Sequence, residues 1–159
     1  MGRDELLLNA AKHGKVDCVV NFIDEGANVN SATRCYGTTP LHWACMNGHE
    51  KVVQVLLDRG AKVKARNRDG MVALHYACRE SHLRITRLLL DNGADINAQD
   101  IFGFTALHYA SKSGSKKCLS LLLSRSADTN SPTRVGKNPL DLAKTEEVMN
   151  LFHCHWDNL

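Results

Sequence analysis

An all-α solenoid of about five helix-turn-helix units is the fold this 159-residue sequence predicts, and three observations predict it. Leu-His recurs at Leu41-His42, Leu74-His75 and Leu107-His108, at a step of 33 residues. Gly37, Gly70, Gly103 and Gly136 keep the same step across four units. Between these glycines, pairs of short apolar runs with helical spacing are separated by Gly- or Ser-containing breaks. A strict period in this range means one supersecondary unit stacked on copies of itself, each burying its apolar faces only against its neighbours. That points to an extended binding surface and away from a catalytic pocket.

The elements follow in order. The first unit is offset by 34 residues: Leu7, Ala10, Gly14 and Gly26-Ala27 align with Leu41, Ala44, Gly48 and Gly60-Ala61. The extra residue falls between Gly26 and Gly37, so the first connecting loop is one longer. The next three units open on Thr39-Pro40-Leu41-His42, Val72-Ala73-Leu74-His75 and Thr105-Ala106-Leu107-His108. A Thr hydroxyl accepts an orphan backbone N–H, and Pro at the first helical position forfeits no hydrogen bond. Val72 lacks that hydroxyl. Ala44, Ala77, Ala110 and Ala143 are small where neighbouring helices must approach.

Breaks at Gly48-His49, Ser81-His82 and Gly114-Ser115 lead into second helices built on Val52, Val53, Leu56 and Leu57, on Ile85, Leu88 and Leu89, and on Cys118, Leu119, Leu122 and Leu123. Glycines suited to a left-handed cap close two of them, at Gly60 and Gly93. Ser81 and Ser126 stand where other units have glycine, and Lys64 where they have Asn30, Asn97 and Asn130. The last unit is truncated, with one short helix over 139–143 and a second over 146–152. The sequence therefore divides into one domain over 1–152, with units near 1–33, 34–66, 67–99, 100–132 and 133–152, and a C-terminal tail over 153–159.

Composition is that of an ordinary globular protein: 43% apolar, 23% charged, net charge +3. That excess is too small for a duplex-DNA binder and tilts the expected partner toward acidic. No signal peptide, lipidation box or membrane-length apolar stretch is read. Cys45 and Cys78 lie one unit apart, and Cys18 and Cys118 stand where Val52 and Ile85 stand, so these four read as small buried apolar residues. Free thiols point to a reducing, intracellular setting, cytoplasmic or nuclear.

Thr-Pro-Leu-His-x-Ala followed by Gly-His, Val-Val, Leu-Leu, Gly-Ala and Asn resembles the ankyrin repeat family over residues 4–152. The resemblance implies antiparallel helix pairs with β-hairpin-like finger loops, and a non-catalytic protein-binding module of scaffold or adaptor type, monomeric by itself. It also implies that His42, His75 and His108 brace the neighbouring loop and that no metal or cofactor is required. His153-Cys154-His155 is the one local ligand cluster, and adjacent residues cannot readily wrap an ion tetrahedrally.

In this family the loop tips and the inner face of the first helix vary with the partner. Carried onto this sequence, those positions give Tyr36, Trp43 and Met46; Arg68, Met71, Tyr76 and Arg79; and Ile101, Phe102, Phe104, Tyr109 and Lys112. Six of the nine aromatics, Tyr36, Trp43, Tyr76, Phe102, Phe104 and Tyr109, belong to this set. Trp43, Tyr76 and Tyr109 can equally be packing residues of the groove floor. The expected function is capture of a protein or peptide in a groove with aromatic anchors and a basic rim, including Lys12, Arg134, Lys137 and Lys144. The alternative is a single-stranded nucleic acid binder stacking bases on Phe102 and Phe104 beside Lys112, Arg134 and Lys137. A third reading is the substrate-recruiting domain of a larger adaptor or enzyme. Leu89, Asp95 and Ile96 ahead of Asn97 resemble the context in which asparaginyl hydroxylases modify ankyrin loops, making Asn97 a modification candidate.

Overall fold

Apolar residues at one unit's spacing stack into columns, and those columns set the architecture. The structure, a computed structural model, describes residues 2–157. First helices α1 (Arg3–Lys12), α3 (Pro40–Met46), α5 (Ala73–Arg79) and α7 (Ala106–Ser113) form an inner layer. Second helices α2 (Val16–Asp24), α4 (Glu50–Asp58), α6 (Leu83–Asp91) and α8 (Lys116–Ser124) form an outer layer. A 3₁₀ turn (Leu140–Leu142) continues the inner layer and α9 (Glu146–Trp156) the outer one. Each of the helices α1 to α8 packs on its partner within the unit and on the equivalent element of the next unit.

Leu7, Leu41, Leu74 and Leu107 are buried as one column, and Val19, Val53, Thr86 and Leu119 as another. Each fully buried Leu contributes about 1.5–3 kcal/mol. Polar Thr86 joins its column because its hydroxyl donates to the His82 carbonyl at 3.0 Å. Cys45, Cys78 and Cys118 are buried and Cys18 half-buried; burial holds the Cys45 and Cys78 thiols far above their ordinary range, so they are inert fillers.

The turns repeat as strictly as the core. His49, His82 and Ser115 each donate a backbone N–H to Ala44, Ala77 and Ala110, at 2.8–3.0 Å. This closure requires a left-handed residue just before, and Ser81 adopts φ 63° where Gly48 and Gly114 stand elsewhere. Ser126, at φ 59°, does the same at the end of α8.

The connectors are fingers with a shared latch. Thr33, Asn67, Asp100 and Thr133 each pair backbone N–H to C=O with Thr38, Met71, Phe104 and Lys137. Their side-chain oxygens accept the return N–H of the same partners. The first latch spans five residues where the others span four, which places the extra residue of the first loop at its tip. The fingers also bond to one another: Arg68, Ile101 and Arg134 N–H groups donate to the Tyr36, Asp69 and Phe102 carbonyls at 2.9–3.0 Å.

The end of the chain departs from the sequence reading. The helix expected to stop at 152 continues through His153-Cys154-His155 to Trp156. Trp156 packs beside Phe152 and donates its indole N–H to Thr129 at 3.4 Å, tying the last turn to the preceding connector. The short helix expected over 139–143 is a single 3₁₀ turn, opened by a reciprocal Asn138–Asp141 cap.

Candidate binding surface

The Leu-His histidines are fully engaged. In each, Nδ1 accepts the backbone N–H three residues back: Thr39 for His42, Val72 for His75 and Thr105 for His108, at 3.0–3.2 Å. That leaves the proton on Nε2, which donates to the next loop at the Met71, Ala98 and Lys137 carbonyls, at 2.8–3.1 Å. Burial lowers His42 to about 4 and lowers His75 and His108 as well. With both nitrogens committed to backbone, these rings bind loops to helices, as the family resemblance implies.

One column further along, Trp43, Tyr76 and Tyr109 form the floor beside the fingers. Tyr76 is only 5% exposed. Its ring meets His42 edge-on at 5.8 Å, the Arg79 guanidinium covers it at 4.9 Å, and its hydroxyl accepts from Asn67 Nδ2 at 2.9 Å. Met71 is buried too, and Tyr109 lies 4.0 Å from its sulfur. Met71 was expected to meet a partner and Tyr76 either to meet one or to pack; both are buried in the floor.

Tyr109 is half-buried, donating to Asp100 Oδ2 at 2.6 Å and packing on His75 and Phe104. Burial, then the bond to Asp100, pushes its hydroxyl pKa up. Trp43, Met46 and Phe104 are also half-buried. Cations cover two rings of this column and the neighbouring Phe104: Lys12 lies 4.8 Å from the Trp43 ring, Arg79 covers Tyr76, and Lys112 lies 5.8 Å from Phe104. The inner helical face therefore presents cations over aromatics, with the rings held beneath.

The open apolar surface is at the finger tips. Tyr36, Phe102 and Val135 are 65%, 56% and 79% exposed, and Ile101 is exposed beside Phe102. Tyr36, Asp69, Phe102 and Val135 share one register, each directly before the tip glycine. Exposed Arg34, Arg68 and Arg134 interleave with them. Val135 was not among the residues the sequence pointed to, because a lone aliphatic side chain in a loop stands out less than an aromatic one. Its position 33 residues after Phe102 was the available signal.

Asn97 is exposed, and its Oδ1 accepts the Asp128 N–H at 2.9 Å, as Asn30 accepts that of Lys62 at 2.8 Å. Lys64, at the equivalent position, has no acceptor to offer.

The family model for ankyrin repeats, three copies, matches residues 7–100, and a further ankyrin repeat matches 102–134. The chain belongs to the ankyrin repeat family. It is 38% identical over 61 residues to the ankyrin repeat-containing protein P1E11.10 of Schizosaccharomyces pombe, covering 38% of this chain and 29% of that one. It is 37% identical over 67 residues to human 2-5A-dependent ribonuclease, covering 42% and 9%. It is 33% identical over 62 residues to the human scaffold protein ILK, covering 39% and 14%. The matched part is thus less than a third of each relative. Ankyrin repeats are protein-interaction modules in general, and this array has the helix pairs, finger loops and histidine braces of one. No helix among its described residues is long and apolar enough to cross a membrane.

Proposed function

We propose that this ankyrin array is a non-catalytic module that captures an extended, acidic segment of a partner protein along its finger tips. The observation that carries the reading is the tip ladder. Tyr36, Ile101, Phe102 and Val135 leave apolar surface in water, and Arg34, Arg68 and Arg134 alternate with it. Grouped exposed apolar residues with a charged rim are the usual chemistry of an interaction surface. The roofing cations Lys12 and Lys112, with Lys137, extend the positive field across the inner face and favour encounter with an acidic partner, while Arg79 is matched by Glu80 at 2.8 Å. Trp43 and Phe104 add half-buried rings at its edge. Tyr76 and Met71 hold the floor in place.

The test is affinity capture from cell lysate with wild type against Tyr36→Ser/Phe102→Ser/Val135→Ser, identified by mass spectrometry. These side chains are exposed, so the thermal midpoint should stay within a few degrees while the captured set is lost. Unchanged capture by a folded triple variant refutes the tip reading. Capture that is nuclease-sensitive and falls log-linearly with salt would assign the same residues to nucleic acid.

A further inference from the structure

The outer-helix face, opposite the fingers, carries a feature that neither the fold nor the finger surface uses. Lys51, Arg84 and Lys117 recur at the same 33-residue step. Each is the second residue of its helix, α4, α6 and α8. A cation there sits at the positive end of the helix dipole, where an acid is favoured. The first unit obeys that preference, with Asp17 second in α2. Three successive units do the reverse, so helix stability does not account for the ladder.

Local ion pairing does not account for it either. The acids of this face are already matched: Glu50 with Arg84 at 3.8 Å, Asp91 with Arg125 at 2.9 Å and Glu147 with Lys116 at 2.7 Å. Lys51, Arg87 and Lys117 make no ion pair among the described residues. This leaves an excess of exposed positive charge in a line along the stacking direction.

The surface beneath the line is recessed. Three depressions of about 410, 380 and 570 Å³ run along it in series. Lys51 and Arg84 border the first two, and Arg87 borders the second and third. The largest lies among α6, α8 and α9 and is floored by Leu83, Leu121 and Leu151. No Phe, Tyr or Trp lines any of the three, and the imidazole of His49 in the first is tied down by donating Nε2–H to the Lys12 carbonyl at 3.0 Å, so there is no run of rings on which successive bases could stack. Leu121 is buried and Leu83 and Leu151 are half-buried, so the apolar floor offers no protruding side chain for insertion into a bilayer.

We propose that the outer face of α4, α6 and α8 is a second binding surface, which takes an acidic amphipathic helix of a partner protein laid along the stacking direction. The spacing selects this occupant. Packed neighbouring helices stand about 8–10 Å apart, so the ladder places one cation per such step. Seven residues of α-helix rise about 10.5 Å, so acidic side chains at every seventh position fall opposite successive rungs. Leucines between them, at intervals of three and four, then face the leucine-floored cleft.

The probe is a synthetic helical peptide of about 20 residues, ~30 Å long, with Glu at every seventh position and Leu on the same face. Its control has the same composition with the glutamates spread around the helix. Binding is read by fluorescence anisotropy to wild type, to Lys51→Ala/Arg87→Ala/Lys117→Ala, and to the finger-tip variant. The patterned peptide should bind wild type and the tip variant alike and bind the triple-alanine variant about tenfold more weakly. That variant breaks no ion pair and relieves two cations at helix starts, so its thermal midpoint should hold or rise. The proposal is overturned if wild type does not bind the patterned peptide, if the control binds as well, or if the variant binds normally. Binding lost in the tip variant alone would return the site to the fingers.

Discussion

Acid should loosen this array through its histidine braces, and His42 sets the scale. Its folded form is neutral, with Nδ1 accepting from Thr39 and Nε2 donating to Met71, and burial lowers its pKa to about 4 from an ordinary value near 6.5. The unfolded chain therefore takes up a proton that the folded chain refuses. Stability from this group is complete above the unfolded value and is lost as pH falls toward the folded one. Going from about pH 7 to about pH 5, His42 alone costs about 2 kcal/mol, approaching about 3 kcal/mol near pH 4. His75 and His108 are lowered for the same reason and add in the same direction. Because a domain's whole stability is about 5–15 kcal/mol, a loss of this size shifts the urea midpoint visibly. The assay is urea unfolding followed by circular dichroism at a series of pH values, with His42→Gln as a partner variant. The variant should be weaker at neutral pH, by about 1–3 kcal/mol for disturbed buried hydrogen bonds, and should lose the His42 share of the pH slope. Stability that stays flat between neutral and mildly acidic pH, or a His42 ring titrating near its ordinary value by NMR, would refute the reasoning.

Other outcomes follow from single side chains. Tyr76→Ala should cost about 3 kcal/mol in chemical denaturation, since it empties a buried aromatic site and strands the Asn67 amide. A variant as stable as wild type would make the burial inconsequential. Ser81→Gly and Ser126→Gly should each raise stability by about 1 kcal/mol, because both serines occupy left-handed backbone. Ser111→Ala should be neutral or stabilising, as its hydroxyl is buried with no partner among the described residues. Asn97, if it is a hydroxylase substrate, should gain the mass of one oxygen after incubation with an asparaginyl hydroxylase; an unchanged intact mass removes the candidate.

Register was legible in the sequence, and shelter was not. The 33-residue step located the helices, the histidine braces and the two strained serines, because each depends only on a residue's place in its unit. Whether a side chain at a given place meets water depends on what covers it. Tyr76 and Tyr109 hold equivalent positions, yet Arg79 and Asn67 close over the first, while the second is half-open above Asp100. Val135 shares the register of Phe102 and is the more exposed of the two, but one aliphatic residue in a loop carries little signal by itself. The last helix ran past its expected end because the truncated unit has no counterpart from which to read a stop. Trp156 finds its anchor on Thr129, in the connector before it.

The bonds between finger tips bear on the thermodynamics of capture. Arg68, Ile101 and Arg134 hold the carbonyls of the fingers before them, so the most exposed loops of the molecule are cross-braced before anything binds. An incoming segment meets a surface whose backbone entropy has already been surrendered during folding, so backbone ordering of the receptor adds little to the cost of association. Amide exchange at those three positions should be slow despite their exposure. Affinity should then depend more on the stiffness of the ligand than on any rearrangement of its receptor.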